Sequence, residues 1–294
     1  MDKNQSAPSL DLLAYRRHPR AFRNHRYVYP VLSRRSGGIS VGVNLNPDKY
    51  CNFKCLYCQV PRGGHRRRSG DILLGLLREE LEKTLELVLS GRIYQYRPFD
   101  QTPEKLRRLH DIALSGNGEP TASSVFLPAC RVCAAVKEKF ALEGVQLVLI
   151  TNASLLHRTR VRKALELLYR HQGRIWAKLE AGTEKYFKFV HQTQVPFTQI
   201  IKNIIQVARV HPVVIQSLFF RYQGLRTPPE EVAAYAERLR EILAQGGKIE
   251  AVQLYSIARR PRCRRVSSLS RAEIDQIARE IKRIVEIPLE IYYP

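Results

Sequence analysis

Apolar positions along this chain switch repeatedly between two periods. After the Gly37-Gly38 pair, Ile39 to Leu45 alternates apolar and polar residues, the signature of a first strand. From Asp71 to Ser90 the leucines recur at helical spacing, and Gly91 ends the run. The alternation then repeats. Strands are expected at Asp111 to Leu114, Val145 to Ile150, Arg174 to Leu179, Val213 to Phe219 and Ile249 to Tyr255. Helices are expected between and after them at Val125 to Phe140, Val161 to Tyr169, Phe197 to Val210, Glu230 to Leu243 and Arg271 to Ile284. Pro288 to Tyr293 is a candidate terminal strand.

Alternation of this kind predicts an α/β fold with a parallel sheet and right-handed crossovers. Six repeats favour a partial (β/α)6 TIM-like barrel, and no Gly-rich phosphate fingerprint follows the first strand as it would in a dinucleotide-binding sheet. No linker or low-complexity break divides the chain. We therefore assign residues 1–30 to a basic N-terminal extension and residues 31–294 to one barrel domain.

Charge changes that picture. The 294 residues carry 49 Lys plus Arg against 27 Asp plus Glu, a net +22, which favours polyanionic partners. Leu12 to Pro47 contains no acidic residue, and its arginines (Arg16, Arg17, Arg20, Arg23, Arg26, Arg34, Arg35) are interleaved with Tyr15, Phe22, Tyr27 and Tyr29. That mixture suits phosphate binding with base stacking, and equally a segment packed on the body. Three further basic runs, Arg62 to Arg68, Arg158 to Lys163 and Arg259 to Arg265, each follow a predicted strand. In a parallel barrel that end carries the active site. An RNA substrate is the expectation, against Arg-rich surface loops in general. The longest apolar runs are too short to span a bilayer, and the first residues form no signal-peptide pattern. The expected location is the cytoplasm, with no membrane partner, and the oligomeric state stays open.

Half of the six cysteines fall between Cys51 and Cys58. Thiolates are soft ligands for clusters, zinc or copper, and a closed site takes four of them. Three predict a metal with one position open. The run Cys51-x-x-x-Cys55-x-x-Cys58, with Tyr57 before the last cysteine, resembles the cluster motif of the radical S-adenosylmethionine superfamily. The resemblance implies a 4Fe-4S cluster on Cys51, Cys55 and Cys58 whose open iron binds S-adenosylmethionine. It further implies reductive cleavage to a 5'-deoxyadenosyl radical that takes hydrogen from the substrate, with a flavodoxin or ferredoxin as electron donor.

Ser115-Gly116-Asn117-Gly118-Glu119-Pro120-Thr121 resembles the family's glycine-rich acidic motif, which implies that Gly116, Asn117, Gly118 and Glu119 hold the methionine end. Tyr57 would help to set the adenine, and Tyr255 lies where the family packs it. Asn152, Lys178 with Glu180, and Gln216 match strand ends that supply polar contacts to the cosubstrate. Helix capping competes at Asn152 and plain barrel polarity at the others. The resemblance spans roughly Tyr29 to Pro261. Tyr29 to Arg35, Ala177 to Thr183 and Val252 to Tyr255 look like the wyosine-synthase-like iron-sulfur oxidoreductases. The N-terminal cysteines of wyosine synthases have no counterpart before Cys51, so the tricyclic-base activity does not carry over.

Two other enzymatic readings are a peptide or protein modifier and a glycyl-radical activase. A reading of another class is a non-catalytic RNA-binding protein with zinc on the cysteines, for which His65 is the nearest fourth ligand. Cys130, Cys133 and Cys263 raise the question of a second cluster. The alternative at Cys130 and Cys133 is burial as small apolar residues.

Overall fold

The computed structural model describes residues 22–61 and 72–294. Most of the expected extension and the run Arg62 to Arg68, with His65, lie outside them. Six strands in the order of the chain form the predicted parallel array: β2 (Gly38–Val43), β3 (Leu109–Leu114), β4 (Gln146–Thr151), β5 (Gly173–Lys178), β6 (Val213–Leu218) and β8 (Ile249–Tyr255). A seventh parallel strand, β10 (Leu289–Tyr292), pairs with β8 at one edge, as the terminal pattern anticipated. The result is a curled eight-stranded sheet, a partial TIM-like barrel.

The eighth strand is β1 (Val28–Ser33), antiparallel to β2 at the other edge. The hydrophobic pattern hides it, because Pro30 interrupts the run and a proline is tolerated only where no ladder N–H is needed, as on an edge. Its entry is fixed by one carboxylate. Glu80 accepts the backbone N–H groups of Arg26 (2.7 Å), Tyr27 (2.8 Å) and Val28 (3.1 Å) from within α1 (Leu74–Leu89).

The remaining helices cover the outer face of the sheet: α2 (Phe126–Lys139), α3 (Thr159–Arg170), α4 (Glu184–His191), α5 (Phe197–Val210), α6 (Pro229–Ala244) and α7 (Arg271–Ile284). Their packing follows amphipathic spacing. In α7, Ile274, Ile277, Ala278 and Ile281 are buried, and a capping box between Ser270 and Glu273 starts the helix. Helix α4 was not predicted, since eight residues with aromatic and basic side chains give too short a stripe to read. Thr183 caps it, accepting the Tyr186 N–H. A two-stranded ribbon, β7 (Arg221–Tyr222) with β9 (Val266–Ser267), sits beyond β6 and β8.

The main core lies between the sheet and its helices, while Ala113, Val148, Trp176 and Val214 form a small apolar layer of their own beside Ile150. Among the described residues no helix is long and apolar enough to cross a membrane. Glu80→Ala should orphan three backbone donors and lower unfolding stability by at least about 2 kcal/mol in urea titrations. An unchanged midpoint would mean that the entry of β1 is held by something else.

Candidate active site

The C-terminal ends of the parallel strands open into a cavity of about 480 Å³, and Cys51, Cys55 and Cys58 line it. So do Tyr57, Gly116, Asn117, Gly118, Glu119, Asn152, Lys178, Gln216 and Tyr255. Positions scattered over two hundred residues of sequence thus meet in one space.

The cysteines belong to the irregular connection from β2 to α1. Its backbone is tied to neighbours instead of to a ladder: the Lys54 and Leu56 N–H groups donate to the His191 and Val190 carbonyls (both 2.9 Å), and the Arg262 N–H donates to the Cys58 carbonyl (3.1 Å). Between the cysteines, the side chains of Phe53, Leu56 and Tyr57 are buried. Phe53 meets the Phe187 ring edge-on at 5.8 Å, and Leu56 and Tyr57 pack with Val190, Leu218, Phe220 and Ile257. Anchoring apolar residues leave the intervening thiols at the cavity wall.

Glu119 is buried and holds two strand ends together. Its Oε1 accepts from Thr121 N (3.2 Å), Thr121 Oγ1 (2.6 Å) and Thr151 Oγ1 (2.7 Å), and its Oε2 accepts from Asn152 N (2.7 Å). Burial pushes its carboxyl above the ordinary range, although these four bonds work in the opposite direction. With a single bond, Oε2 keeps acceptor capacity, and Glu119 lines the cavity. Asn152 Nδ2 in turn donates to Asn52 Oδ1 (2.9 Å), and Asn52 Nδ2 donates to Ser154 Oγ (2.8 Å). The cysteine loop is therefore clamped to the end of β4 by Asn52, a residue that sequence reasoning passed over.

The glycines of this segment serve the same loop. A Cβ at Gly116, where φ is +153°, would lie 2.4 Å from Asn44 Oδ1, and one at Gly118 would lie 1.9 Å from the Tyr50 carbonyl oxygen. Asn44 Oδ1 also accepts the Asn117 N–H at 3.1 Å. The close approach here is between two stretches of the protein itself.

A charged network backs the cysteines. Tyr57 Oη donates to Glu180 Oε1 (2.8 Å), Lys178 Nζ lies 3.3 Å from the same oxygen, and His191 Nε2 lies 3.3 Å from Glu180 Oε2. The other nitrogen of that ring, Nδ1, is 3.2 Å from Cys55 Sγ. Burial would raise the Glu180 carboxyl, but Lys178, His191 and Tyr57 hold it below the ordinary carboxylate range. Burial disfavours the Lys178 ammonium as well, yet Tyr255 and Glu180 keep its pKa above that of a free lysine. Burial, with Cys51 and Glu180 nearby, pushes the Cys55 thiol up. His191 was illegible in the sequence because it enters from α4.

Among the described residues no three Cys, His, Asp or Glu side chains converge closely enough to share one metal ion. A cubane cluster does not require that, since each thiolate binds a separate iron corner. Three soft donors spread along one cavity wall fit a cluster. Cys130 and Cys133 are buried neighbours in the helix-covered core on α2, whereas Cys263 packs with Tyr57 and Ile257 beside the cysteine loop, so the structure separates Cys263 from that pair.

The chain superposes on a cysteine-to-serine mutant of spore photoproduct lyase with a TM-score of 0.50 at 11% identity, over 92% of this chain and 80% of that one. The likeness is one of fold. No protein-family model matches. In sequence, the chain is 22% identical over 270 residues to a GTPase Obg of Brachyspira hyodysenteriae, covering 90% of this chain and 35% of that protein. It is 30% identical over 138 residues to a UPF0026 protein of Helicobacter pylori strain J99, covering 47% of this chain and 38% of the other. The chain thus spans little more than a third of the length of these curated relatives.

Gly118→Ala should drive a methyl group into the Tyr50 carbonyl and displace the cysteine loop while the barrel persists. Hydrogen exchange over residues 44–61 is expected to accelerate by at least about tenfold with an unchanged far-UV spectrum. Unaltered protection there would show that the loop does not depend on the close approach at Gly118.

Proposed function

We propose that this chain is a radical S-adenosylmethionine enzyme acting on an anionic substrate, with RNA modification as its task. The observation that carries the reading is the meeting of Cys51, Cys55 and Cys58 with Glu119, Asn152 and Lys178 around a single cavity at the C-terminal end of a partial barrel. When bound, the cluster would supply the electron that cleaves S-adenosylmethionine to a 5'-deoxyadenosyl radical. This chain's own residues do the rest.

The three thiols would hold the cluster, and with only three protein ligands they would leave room for the cosubstrate to bind it. Glu119 Oε2 accepts from the methionine ammonium, beside the backbone of Gly116 to Gly118. Asn152 orients the cysteine loop through Asn52 and adds a polar edge to the pocket. Tyr57, held by Glu180, bounds the adenine side together with Tyr255. Lys178, Glu180 and His191 stiffen the wall behind Cys55. Barrel walls exclude water from a reactive species that would otherwise be quenched. Electron supply is assigned to a flavodoxin or ferredoxin.

Support for RNA comes from charge placement. Arg158, Arg162 and Lys163 are exposed just after β4, and Arg260, Arg262, Arg264 and Arg265 are exposed just after β8. Both groups sit at the end of the barrel where the cavity opens, and a basic rim there suits a phosphate backbone.

Two measurements test these statements separately. Anaerobic reconstitution with iron and sulfide should yield a 4Fe-4S spectrum and, with reductant and S-adenosylmethionine, 5'-deoxyadenosine; Cys55→Ala should lose both. Uptake of zinc alone with no nucleoside product would overturn the radical chemistry and favour a metal-stabilised binding protein. Affinity for tRNA or rRNA should fall steeply as salt rises. Reversing Arg260, Arg262 and Arg264 to Glu should reduce the log–log slope by about 0.9 for each phosphate that is no longer neutralised. Binding indifferent to salt would remove RNA from the proposal.

A further inference from the structure

Three polar groups in the cavity have no task in the chemistry above, and they stand together. Arg35 leaves the β1–β2 turn, where its backbone carbonyl accepts the Tyr292 hydroxyl at 3.3 Å. Its guanidinium carbon lies 4.9 Å from the centre of the Tyr255 ring and 5.8 Å from that of Trp176, and the residue lines the cavity. Among the described residues this guanidinium forms neither an ion pair nor a hydrogen bond. Beneath it, the Trp176 Nε1–H is buried without an acceptor, and Gln216 Oε1 is buried without a donor. The two residues are 3% and 0% exposed, and both line the cavity. Gln216 spends its amide nitrogen on Gln253 Oε1 at 2.9 Å, which fixes its oxygen as the remaining group. Trp176 faces Val214 and Lys178 faces Gln216 across the β5–β6 ladder, so Trp176 and Gln216 are diagonal neighbours on one face.

Carboxylates around this cluster are already committed. Asp111 takes the Ser40 hydroxyl on Oδ1 and has His110 Nδ1 3.2 Å from Oδ2. Glu180 has Tyr57, Lys178 and His191. Among the described residues, what remains is a cation without an anion, an N–H donor without an acceptor and an amide oxygen without a donor. Buried polar groups left in this state cost stability unless a ligand or water fills them.

We propose that Arg35, Trp176 and Gln216 form the substrate receptor of the barrel lumen and that its ligand is a nucleotide. The phosphate pairs with the Arg35 fork, and one edge of the base takes the Trp176 N–H and gives an N–H to Gln216 Oε1. Each nucleobase carries a donor beside an acceptor on such an edge and presents a flat face to aromatic rings and guanidinium planes. A peptide amide also offers a donor and an acceptor but brings no anion for the unpaired arginine. This assignment gives Gln216, expected to meet the cosubstrate, to the substrate instead. It rests on reading the cavity as the site of the radical chemistry, although binding itself needs no turnover.

Calorimetry on the anaerobically loaded full chain, with S-adenosylmethionine at saturation, tests it. The four nucleoside 5'-monophosphates, their nucleosides and ribose 5-phosphate are the probes. At least one monophosphate should bind about tenfold or more tightly than its nucleoside. Arg35→Met should erase that preference, Arg35→Lys should keep most of it, and Gln216→Leu should weaken nucleotide and nucleoside alike while ribose 5-phosphate is unaffected. Trp176 is the single tryptophan of the chain, so the same nucleotide should shift its emission in the cluster-free protein. The proposal is overturned if no monophosphate binds, if nucleotide and nucleoside bind wild type equally, or if the Trp176 emission stays unchanged. Displacement of the nucleotide by S-adenosylmethionine would give the three groups to the cosubstrate and overturn it too. Failure of the radical reading looks different: nucleotide binding would persist while 5'-deoxyadenosine never forms.

Discussion

A loop with no strand or helix of its own can present three thiols reproducibly only if its backbone groups find partners elsewhere, because unpaired buried amides are too costly to keep. That constraint organises the site. The cysteine loop satisfies its amides on the end of α4 and gives a carbonyl to the β8–α7 connection, while Asn52 ties it to the end of β4. Gly116 and Gly118 let it lie directly on the β3–α2 turn. Three strand ends and one helix end thereby fix one irregular segment.

The same arrangement divides labour between two acids. Glu119 takes two hydrogen bonds from Thr121 in its own turn and two from the end of β4, at Thr151 and Asn152, and it lines the cavity. Glu180 is buried behind the cysteines, where Lys178, Tyr57 and His191 keep it ionised. One carboxylate is thus poised to meet a ligand and the other to hold a wall, although both end a strand and both carry the same side chain. Environment separates their roles, as burial and partners do for paired acids in general.

Beyond these, among the described residues the lumen holds Arg35 without an ion pair, and Trp176 Nε1 and Gln216 Oε1 without hydrogen-bond partners. Arg35 arrives from an edge hairpin, not from the barrel repeat, and it reaches Tyr255 and Trp176 from strands far away in sequence. A partial barrel leaves a lateral opening that such a hairpin can fill, so an element outside the repeat contributes to the interior. The proposed receptor depends on that topological accident.

Sequence alone determined much of this protein. Period switching specified six strands and most of the helices, since buried strands and amphipathic helices must show their faces in the order of residues. The thiol spacing and the glycine-rich acidic turn were legible because each is a local device whose parts adjoin. Other features came only with tertiary structure. Edge strand β1 was masked by Pro30, and α4 was too short to print a periodic stripe. His191 beside Cys55, Asn52 on Asn152, and Arg35 over Trp176 pair residues a hundred or more positions apart in sequence. No local pattern encodes such pairs. They exist because closing the sheet brings distant strand ends within hydrogen-bonding reach, and only the curvature of the whole decides which ends those are.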